Sequence, residues 1–231
     1  MTLLVYRCRP LIPYHLAWQW QKELVQERKQ NPHLPDVLLL LEHPAVYTIG
    51  QGSNLAFFKQ SVDYIKTERG GEVTYHAPGQ LVGYPIVNLR HYQPDLHWYL
   101  RSLEEVIIQA LATLGIQAER RPGLTGVWVE TGKIAQIGIK VSRWITMHGF
   151  ALNVSVDKEG FQPIVPCGIP DCPVANVVDF LSVDMETIKD VVEKQFVSVF
   201  LKSKLTESQV FAAMADAQAF RQNTDRVGNK N

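Results

Sequence analysis

The sequence is poor in cysteine and has no long apolar run. Only Cys8, Cys167 and Cys172 occur among its 231 residues, and such an odd, sparse count does not describe a disulfide framework. No apolar stretch approaches the ~20 residues of a membrane helix, and the first residues lack the cleavage pattern of a signal peptide. We therefore expect no membrane partner and a location in the reducing cytoplasm, where thiols stay free.

An excess of charge is also missing. The chain has 23 basic and 23 acidic residues, so its formal net charge is zero. A protein that binds nucleic acid needs a basic face, so we expect no nucleic-acid partner, although a local basic patch for an acidic protein stays compatible with this balance. Hydrophobic residues make up 46% of the chain, which is enough for a large core.

The hydrophobic patterns predict one α+β domain with a mixed, largely antiparallel sheet flanked by helices. Hairpin signals dominate, and strands and helices do not alternate regularly. No linker rich in Pro, Gly and Ser divides the chain, so we expect one domain at 1–215 and a polar tail at 216–231. The predicted helices are 13–31, 95–114, 184–201 and 206–220, and the predicted strands are 3–8, 37–41, 45–49, 81–89, 126–130, 133–141 and 144–154.

One candidate site is the glycine-rich stretch "RGGEVTYHAPGQ". Two adjacent glycines let the backbone approach a ligand closely, Arg69 offers several donors, and Thr74 and His76 lie on one side of a strand. The glycine spacing fits neither a P-loop nor a dinucleotide fingerprint. A plain β-turn and hairpin is an equally good interpretation of this stretch.

Two further stretches, "GKIAQIGIKV" and "TMHGFALN", hold candidate polar residues. Gly138 interrupts a strand, which indicates a bulge or the close approach of a ligand. Lys133 starts that strand, where a lysine is usually a solvated surface residue. His148 is either catalytic or an ordinary strand histidine, and the small residues Gly149 and Ala151 fit either a narrow apolar groove or plain sheet packing.

The loop "IVPCGIPDCP" leaves several fates open for its cysteines. Their spacing does not match a zinc site, the expected compartment opposes a disulfide, and a buried inert thiol is the commonest outcome. Cys167 nevertheless lies between Pro166 and Gly168, in a rigid turn that can present its side chain and leave backbone N–H groups free as oxyanion donors. Cys172 follows Asp171, whose carboxylate would raise the thiol pKa, so Cys172 is the weaker nucleophile.

Taken together, "RGGEVTYHAPGQLVGYPIVNL", "GKIAQIG", "HGFALNV" and "IVPCGI" resemble the lipoyl(octanoyl)transferases, the LipB family. The similarity runs from "LLLLEHPAVYTIG" through the cysteine loop, which is most of the chain. One departure is visible, because Ala77 stands where the family commonly has glycine. The extra methyl group would narrow the pocket slightly and argues against a positive φ at this position.

The resemblance implies a fold similar to the catalytic domains of biotin protein ligases and lipoate ligases. It also implies transfer of an octanoyl group from the phosphopantetheine thioester of acyl carrier protein to a lysine of a lipoyl domain, as in E2 subunits or the glycine-cleavage H protein. Cys167 would carry the acyl thioester, and Lys133 would lower the pKa of that thiol. The substrate-contacting residues implied in this way are Arg69, Gly70, Gly71, Glu72, Val73, Thr74, Tyr75, His76, Gln136, Ile137, Gly138, Gly149, Phe150 and Ala151.

The same resemblance implies no metal and no cofactor beyond the phosphopantetheine of the donor, and we expect a monomer. Other interpretations of these residues are an ATP-dependent lipoate- or biotin-type protein ligase, a cysteine hydrolase that uses His148 or His76, and a non-catalytic protein that binds a lipoyl domain. A ligase would form an acyl-adenylate and would not need Cys167 as a nucleophile.

Overall fold

The computed structural model describes residues 2–170 and 172–201. Its helices are α1 (Tyr14–Gln30), α2 (Leu96–Thr113) and α3 (Met185–Leu201). Its strands are β1 (Leu3–Leu11), β2 (Asp36–Glu42), β3 (Val46–Ile49), β4 (Tyr64–Lys66), β5 (Thr74–His76), β6 (Gln80–Ile86), β7 (Glu119–Arg121), β8 (Leu124–Val129), β9 (Gly132–Ser142) and β10 (Ile145–Asn153). The helix predicted at 206–220 and the tail predicted at 216–231 lie outside the described residues. None of the described helices is long and apolar enough to cross a membrane.

Seven strands form the main sheet, in the order β1-β2-β6-β10-β9-β8-β7. Only β1 and β2 pair in parallel, because α1 connects them and a crossover of this length is what parallel neighbours need. All other neighbours in this sheet are antiparallel. The predicted single α+β domain with a mixed, largely antiparallel sheet is therefore confirmed.

The apolar run of β2 explains how the two faces of the sheet are covered. Leu38 and Leu40 belong to the core on one side, which includes residues of α2 and α3, whereas Val37, Leu39 and Leu41 belong to the core under α1. A strand buried on both faces is expected to be continuously hydrophobic rather than alternating. Each fully buried leucine contributes roughly 1.5–3 kcal/mol to folding, so this strand anchors both layers.

Helix α1 buries only part of the stripe that its apolar spacing predicts. That spacing predicts a stripe of Leu16, Trp20 and Leu24, with Ala17 and Val25 beside it. Ala17 and Val25 are buried, whereas the other three are only half-buried. The buried residues are Tyr14, Ala17, Gln21, Val25 and Arg28. The side chain of Gln21 accepts a hydrogen bond of 2.8 Å from the backbone N–H of His148, so a polar contact at the site sets the rotation of the helix.

A smaller sheet, in the order β4-β3-β5, packs beside the main one. Its β5 pairs with β3, whereas the next strand, β6, pairs with β2 and β10. The glycine-rich stretch is therefore not a plain hairpin, because its two strands belong to different sheets. The small sheet brings the segment 69–76 next to the cysteine loop, where Cys167 N–H donates to Val73 O at 3.0 Å.

Two tight hairpins place β8, β9 and β10 side by side. Val129 pairs with Gly132 at the β8–β9 turn, one residue away from the predicted position of that turn. At the β9–β10 turn, Arg143 and Trp144 both have positive φ, 53° and 68°, as a two-residue type I′ turn requires. Bulky residues are uncommon in this conformation, so the sequence did not predict this turn.

Candidate active site

Cys167 lies on a strained turn at the edge of a cavity. It occupies the middle of a short 3-10 turn, Pro166–Gly168, with φ 56° and ψ 18°. A left-handed backbone is unfavourable for a residue other than glycine and persists only where the surroundings impose it. The turn fixes the direction of the thiol, as the sequence predicted for a residue between Pro166 and Gly168.

One feature predicted for this turn is wrong. The N–H of Cys167 donates to Val73 O at 3.0 Å, and the N–H of Gly168 donates to Val165 O at 3.0 Å. Both groups are therefore used to build the turn and are not free to bind an oxyanion. Other donors have to serve that purpose.

Lys133 is buried, which excludes the interpretation as a solvated surface residue. Its side chain is only 2% exposed. Its N–H donates to Pro173 O at 2.8 Å, and its carbonyl accepts from Ala175 N–H at 3.0 Å. The start of β9 is thus paired with the chain that leaves the cysteine loop, and this pairing joins Lys133 to Val174, 41 residues later in the sequence.

The side chain of Lys133 runs along β8. A Cβ atom on Gly126 would lie 2.5 Å from Lys133 Cε and 3.2 Å from Nζ, so only glycine leaves room for the lysine there. The amino group lies 5.3 Å from the ring centroid of Trp128. No carboxylate of the described residues forms an ion pair with this amino group. A buried ammonium without an anion is unfavourable, so a nearby thiolate would relieve it.

Cys167 and Lys133 open onto the same cavity, whose volume is about 240 Å³. The other lining residues that the sequence predicted are Arg69, Gly71, Glu72, Thr74, His76, Gln136, Ile137, Gly138, Gly149, Phe150 and Ala151. The lining also includes His148, which the sequence left between two roles, and Tyr14, Val82, Tyr84, Gly123, Leu124, Thr125 and Ile169, which it did not single out.

Three residues of the predicted binding segment do not line the cavity. Val73 is fully buried and supports the cysteine turn through its carbonyl. Tyr75 points into the core of the small sheet, where its ring lies 5.4 Å from that of Phe161. Gly70 fixes the loop instead, because its N–H donates to Ile139 O at 2.9 Å. The predicted segment 69–76 thus contains two kinds of residue: most of them line the cavity, and the other three support the structure around it.

Several buried polar atoms of the residues that line the cavity lack a hydrogen-bond partner. They are Thr74 Oγ1, both side-chain atoms of Gln136, Arg69 Nε and both ring nitrogens of His148. A buried polar atom left unpaired costs roughly 1–3 kcal/mol. A cavity lined with such groups is suited to a ligand that carries polar atoms as well as an apolar part.

Arg69 places a second cation at the site. It is 7% exposed, and it donates to Thr48 O at 2.9 Å and to Thr48 Oγ1 at 3.0 Å. Burial lowers the pKa of Arg69, and the charges of Tyr14 and Cys167 are among the groups that act against this shift. Arg69 and Cys167 line the same cavity, so the charge of Arg69 would favour a thiolate there.

His76 is held in its neutral form. The side-chain N–H₂ of Gln80 donates to Asn153 Oδ1 at 2.8 Å, so Gln80 Oε1 accepts from His76 Nδ1 at 2.8 Å. Burial lowers the pKa of His76 to about 3, and neighbouring His43 acts in the same direction. A neutral imidazole this deep is suited to orienting a ligand or a loop.

His148 also has an unusual backbone, with φ 59°. Its Nε2 lies 3.8 Å from Glu68 Oε1, and Glu68 accepts a hydrogen bond of 3.1 Å from Trp18 Nε1. Burial lowers the pKa of His148, although Glu68 acts against the shift. The positive φ directs the N–H of His148 to Gln21, so this residue joins α1 to the cavity wall.

Two glycines of the predicted groove are required by close contacts. A Cβ on Gly149 would lie 2.2 Å from Gly83 O, and a Cβ on Gly138 would lie 3.0 Å from Gly70 O. Gly149 lets β10 approach β6, and Gly138 lets the loop at Arg69 cover β9. Ala77, by contrast, has no positive φ, in agreement with the residue found there.

Cys172 is half-buried and does not line the cavity. Burial raises the pKa of the Cys172 thiol, and the charge of Lys133 acts against the shift. The sequence also predicted a raised thiol pKa for Cys172, but it attributed the shift to the carboxylate of Asp171. In the structure the main cause is burial. No group of three or more His, Cys, Asp or Glu side chains in the described ranges could hold a metal ion.

Solved structures first define the fold. The bipartite lipoate protein ligase from Thermoplasma acidophilum has a TM-score of 0.62, with 18% identity over 86% of this chain and 82% of that chain. A lipoate-protein ligase A bound with ATP gives a TM-score of 0.63, with 16% identity over 86% and 84%. At these identities the likeness concerns the fold alone, so the chain has the fold of the lipoate-ligase catalytic domains.

Sequence comparisons define the family. The model of the lipoyl protein ligase A/B catalytic domain matches residues 13–197. An octanoyltransferase of Nostoc punctiforme is 56% identical over 205 residues, which cover 86% of this chain and 89% of that protein. One of Synechococcus elongatus is 56% identical over 195 residues, 82% of this chain and 84% of that protein. The chain belongs to the lipoyl(octanoyl)transferase (LipB) family, and it is an acyltransferase of lipoate biosynthesis.

Proposed function

We propose that this chain transfers an octanoyl group from the phosphopantetheine thioester of acyl carrier protein to a lysine of a lipoyl domain, through a thioester on Cys167. The observation that carries the proposal is that the strained turn of Cys167 and the buried amine of Lys133 line one cavity. The names of the relatives at 56% identity support octanoyl as the acyl group.

The first step needs the thiolate of Cys167. An opposite charge within ~4–6 Å favours the charged form of a thiol, and the buried ammonium of Lys133 has no carboxylate partner among the described residues. The thiolate attacks the donor carbonyl, the new C–S bond forms, and the bond to the pantetheine sulfur breaks. Lys133 gives a proton to the departing sulfur and becomes neutral. One thioester replaces another, so the step is nearly balanced in energy and needs no ATP.

The second step uses the neutral Lys133 as a base. The incoming lysine amine attacks the acyl carbonyl on Cys167, and its nitrogen loses a proton to Lys133 as the amide forms. Cys167 leaves as a thiolate, so the starting pair of charges is restored. Because the backbone N–H groups of Cys167 and Gly168 are already bonded, the unpaired N–H groups of Gln136 and Arg69 are the donors for the oxyanion.

The apolar part of the wall suits the acyl chain. Val82, Ile137, Phe150 and Ala151 line the cavity, and each buried methylene of a ligand contributes about 0.8 kcal/mol. Burial of the acyl chain also keeps water from the thioester. We propose that the enzyme needs no cofactor of its own, because the donor is already activated, and that it works in the cytoplasm, which agrees with its three free cysteines.

Intact-protein mass spectrometry with octanoyl-acyl carrier protein tests this proposal. We expect one octanoyl adduct that hydroxylamine removes and that maps to Cys167. Cys167→Ser should abolish both the adduct and transfer to a lipoyl domain, whereas the matched control Cys172→Ser should retain both. An adduct on Cys172, or transfer by Cys167→Ser that depends on ATP, would contradict the proposal and favour a ligase.

A further inference from the structure

A buried carboxylate on α2 contacts the backbone next to Lys133. Glu104 has no exposed side-chain surface, and its Oε1 accepts a hydrogen bond of 3.0 Å from the N–H of Gly126. Its Oε2 accepts from Arg101 Nη1 at 2.6 Å and from Arg120 Nε at 3.0 Å. Buried carboxylates are unfavourable unless they are paired and bonded in this way, so Glu104 is fully committed to these three contacts.

Gly126 is the residue whose missing side chain makes room for Lys133. Its φ is 125°, and a Cβ there would lie 2.5 Å from Lys133 Cε. The hydrogen bond that Gly126 N–H donates to Glu104 therefore fixes the segment of β8 against which the lysine side chain lies. A shift of this backbone would change the position of the amino group.

Glu104 also contacts the chain on both sides of the cavity wall. Residues 123–125 line the cavity; Arg120 lies three residues before them, and Gly126 follows them directly. The carboxylate of Glu104 binds both Arg120 and Gly126, so the segment that contains the wall and the lysine groove is attached to one point of helix α2. Arg120 Nη2 additionally donates to Glu105 Oε2 at 2.6 Å.

We propose that Glu104 is a positioning residue for acyl transfer, which holds the Gly126 backbone so that Lys133 stays directed at the cavity beside Cys167. The inference rests on the proposed role of Lys133 and deepens it. Glu104 does not touch the substrate, so its effect should pass through the state of the Cys167 thiol and through the chemical step. Binding of the donor should change little.

The test measures alkylation of Cys167 by iodoacetamide, which reacts with the thiolate, in the intact protein without substrate. We expect Glu104→Leu to react roughly tenfold more slowly than the wild type at pH 7, since hydrogen bonds to charged groups are worth this much. At about pH 10, where thiols are ionised in every variant, the rates should be equal. If Glu104→Leu only loosened the structure, alkylation of Cys167 would be faster than in the wild type both at pH 7 and at about pH 10. That result would overturn the inference.

Three further variants keep the test decisive if Glu104→Leu folds poorly. Glu104→Gln retains an acceptor for Gly126 and should react at nearly the wild-type rate. Gly126→Ala puts a methyl group into the lysine groove and should behave as Glu104→Leu does. Glu105→Leu is the matched control, because Glu105 also binds Arg120, whereas the N–H of Gly126 donates to Glu104, and it should leave the rate unchanged.

Steady-state kinetics give a second readout. Glu104→Leu should lower kcat about tenfold and leave the KM for the donor within twofold. If Lys133→Met alkylates at the wild-type rate, the proposed role of Lys133 fails. If Lys133→Met is slow but Glu104→Leu and Gly126→Ala are not, only the inference about Glu104 fails.

Discussion

Two neutral histidines beside the cavity should make the enzyme unstable in acid. His43 is buried, its Nδ1 lies 2.6 Å from Ile12 O, and its Nε2 lies 2.8 Å from the hydroxyl of Tyr84. These contacts fit a neutral ring that donates at one nitrogen and accepts at the other. Burial lowers the pKa of His43 to about 4 and that of His76 to about 3. In the unfolded chain both should titrate near 6.5.

The sign of the effect follows from proton binding. Between pH 6.5 and pH 4 the unfolded chain binds protons at both histidines while the folded protein does not, so the free energy of unfolding falls as the pH falls. Each histidine should remove about 3 kcal/mol over this range. Asp36 acts in the opposite direction, because burial raises its pKa to about 6, and protonation of the folded form should return about 3 kcal/mol as the pH falls to 4.

The expected net loss is therefore about 3 kcal/mol between pH 6.5 and pH 4, with His148 adding in the same direction because burial lowers its pKa as well. Urea denaturation at a series of pH values measures it directly. His43→Gln should flatten the curve, since the loss at His76 and the gain at Asp36 then nearly cancel. Asp36→Asn should roughly double the loss.

A free energy of unfolding that stays constant between pH 6.5 and pH 4 in the wild type and in both variants would refute this reasoning. So would an Asp36→Asn variant that becomes less sensitive to acid than the wild type.

Three other predictions concern the cavity and the cysteine loop. Gln136→Leu should stabilise the fold by roughly 1–3 kcal/mol in urea denaturation, since two unpaired buried atoms disappear, yet it should lower kcat/KM; a less stable variant would contradict this. Gly83→Ala would place a Cβ 2.1 Å from Phe150 Cζ, so we expect a loss of roughly 1–3 kcal/mol and a greater fall in kcat/KM with octanoyl than with butanoyl donors. Cys172 should alkylate more slowly than Cys167 near pH 7, because burial raises the Cys172 pKa; peptide mapping after a short iodoacetamide pulse would show the order.

The elements that the sequence predicted well have strong local signals. The helix predicted at 95–114 is found at Leu96–Thr113, where the carboxylate of Asp95 accepts hydrogen bonds from His97 N–H and Trp98 N–H. The helix predicted at 184–201 is found at Met185–Leu201. Periodic apolar residues and an acidic cap act within a few residues of each other, so a single sequence is enough to identify them.

The features that the sequence missed depend on contacts between distant segments. The burial of Lys133 depends on Gly126 and on the backbone of Pro173, and nothing near Lys133 in the chain indicates either contact. The left-handed turn at Arg143 and Trp144 has none of the usual Asn-Gly signal. The cavity wall at 123–125 consists of the end of the β7–β8 turn and the start of β8, and nothing in its own sequence indicates a cavity.

The candidate site itself was predictable mainly through the order of four motifs. Cys167 and Lys133 are separated by 33 intervening residues in the chain, and no spacing rule joins them. The structure brings both to one cavity, whereas the predicted residues Gly70, Val73 and Tyr75 turn out to support that cavity from outside. Strand alternation predicts which residues share a face, but it does not predict which face meets a second sheet.

Main-chain hydrogen bonds hold both members of the proposed reactive pair in place: Cys167 to Val73, and Lys133 to Pro173 and Ala175. Amide groups are the same in every residue, so these attachments do not depend on which side chains surround them. Substitutions of single wall residues could therefore adapt the pocket to another acyl chain while the positions of Cys167 and Lys133 stay the same.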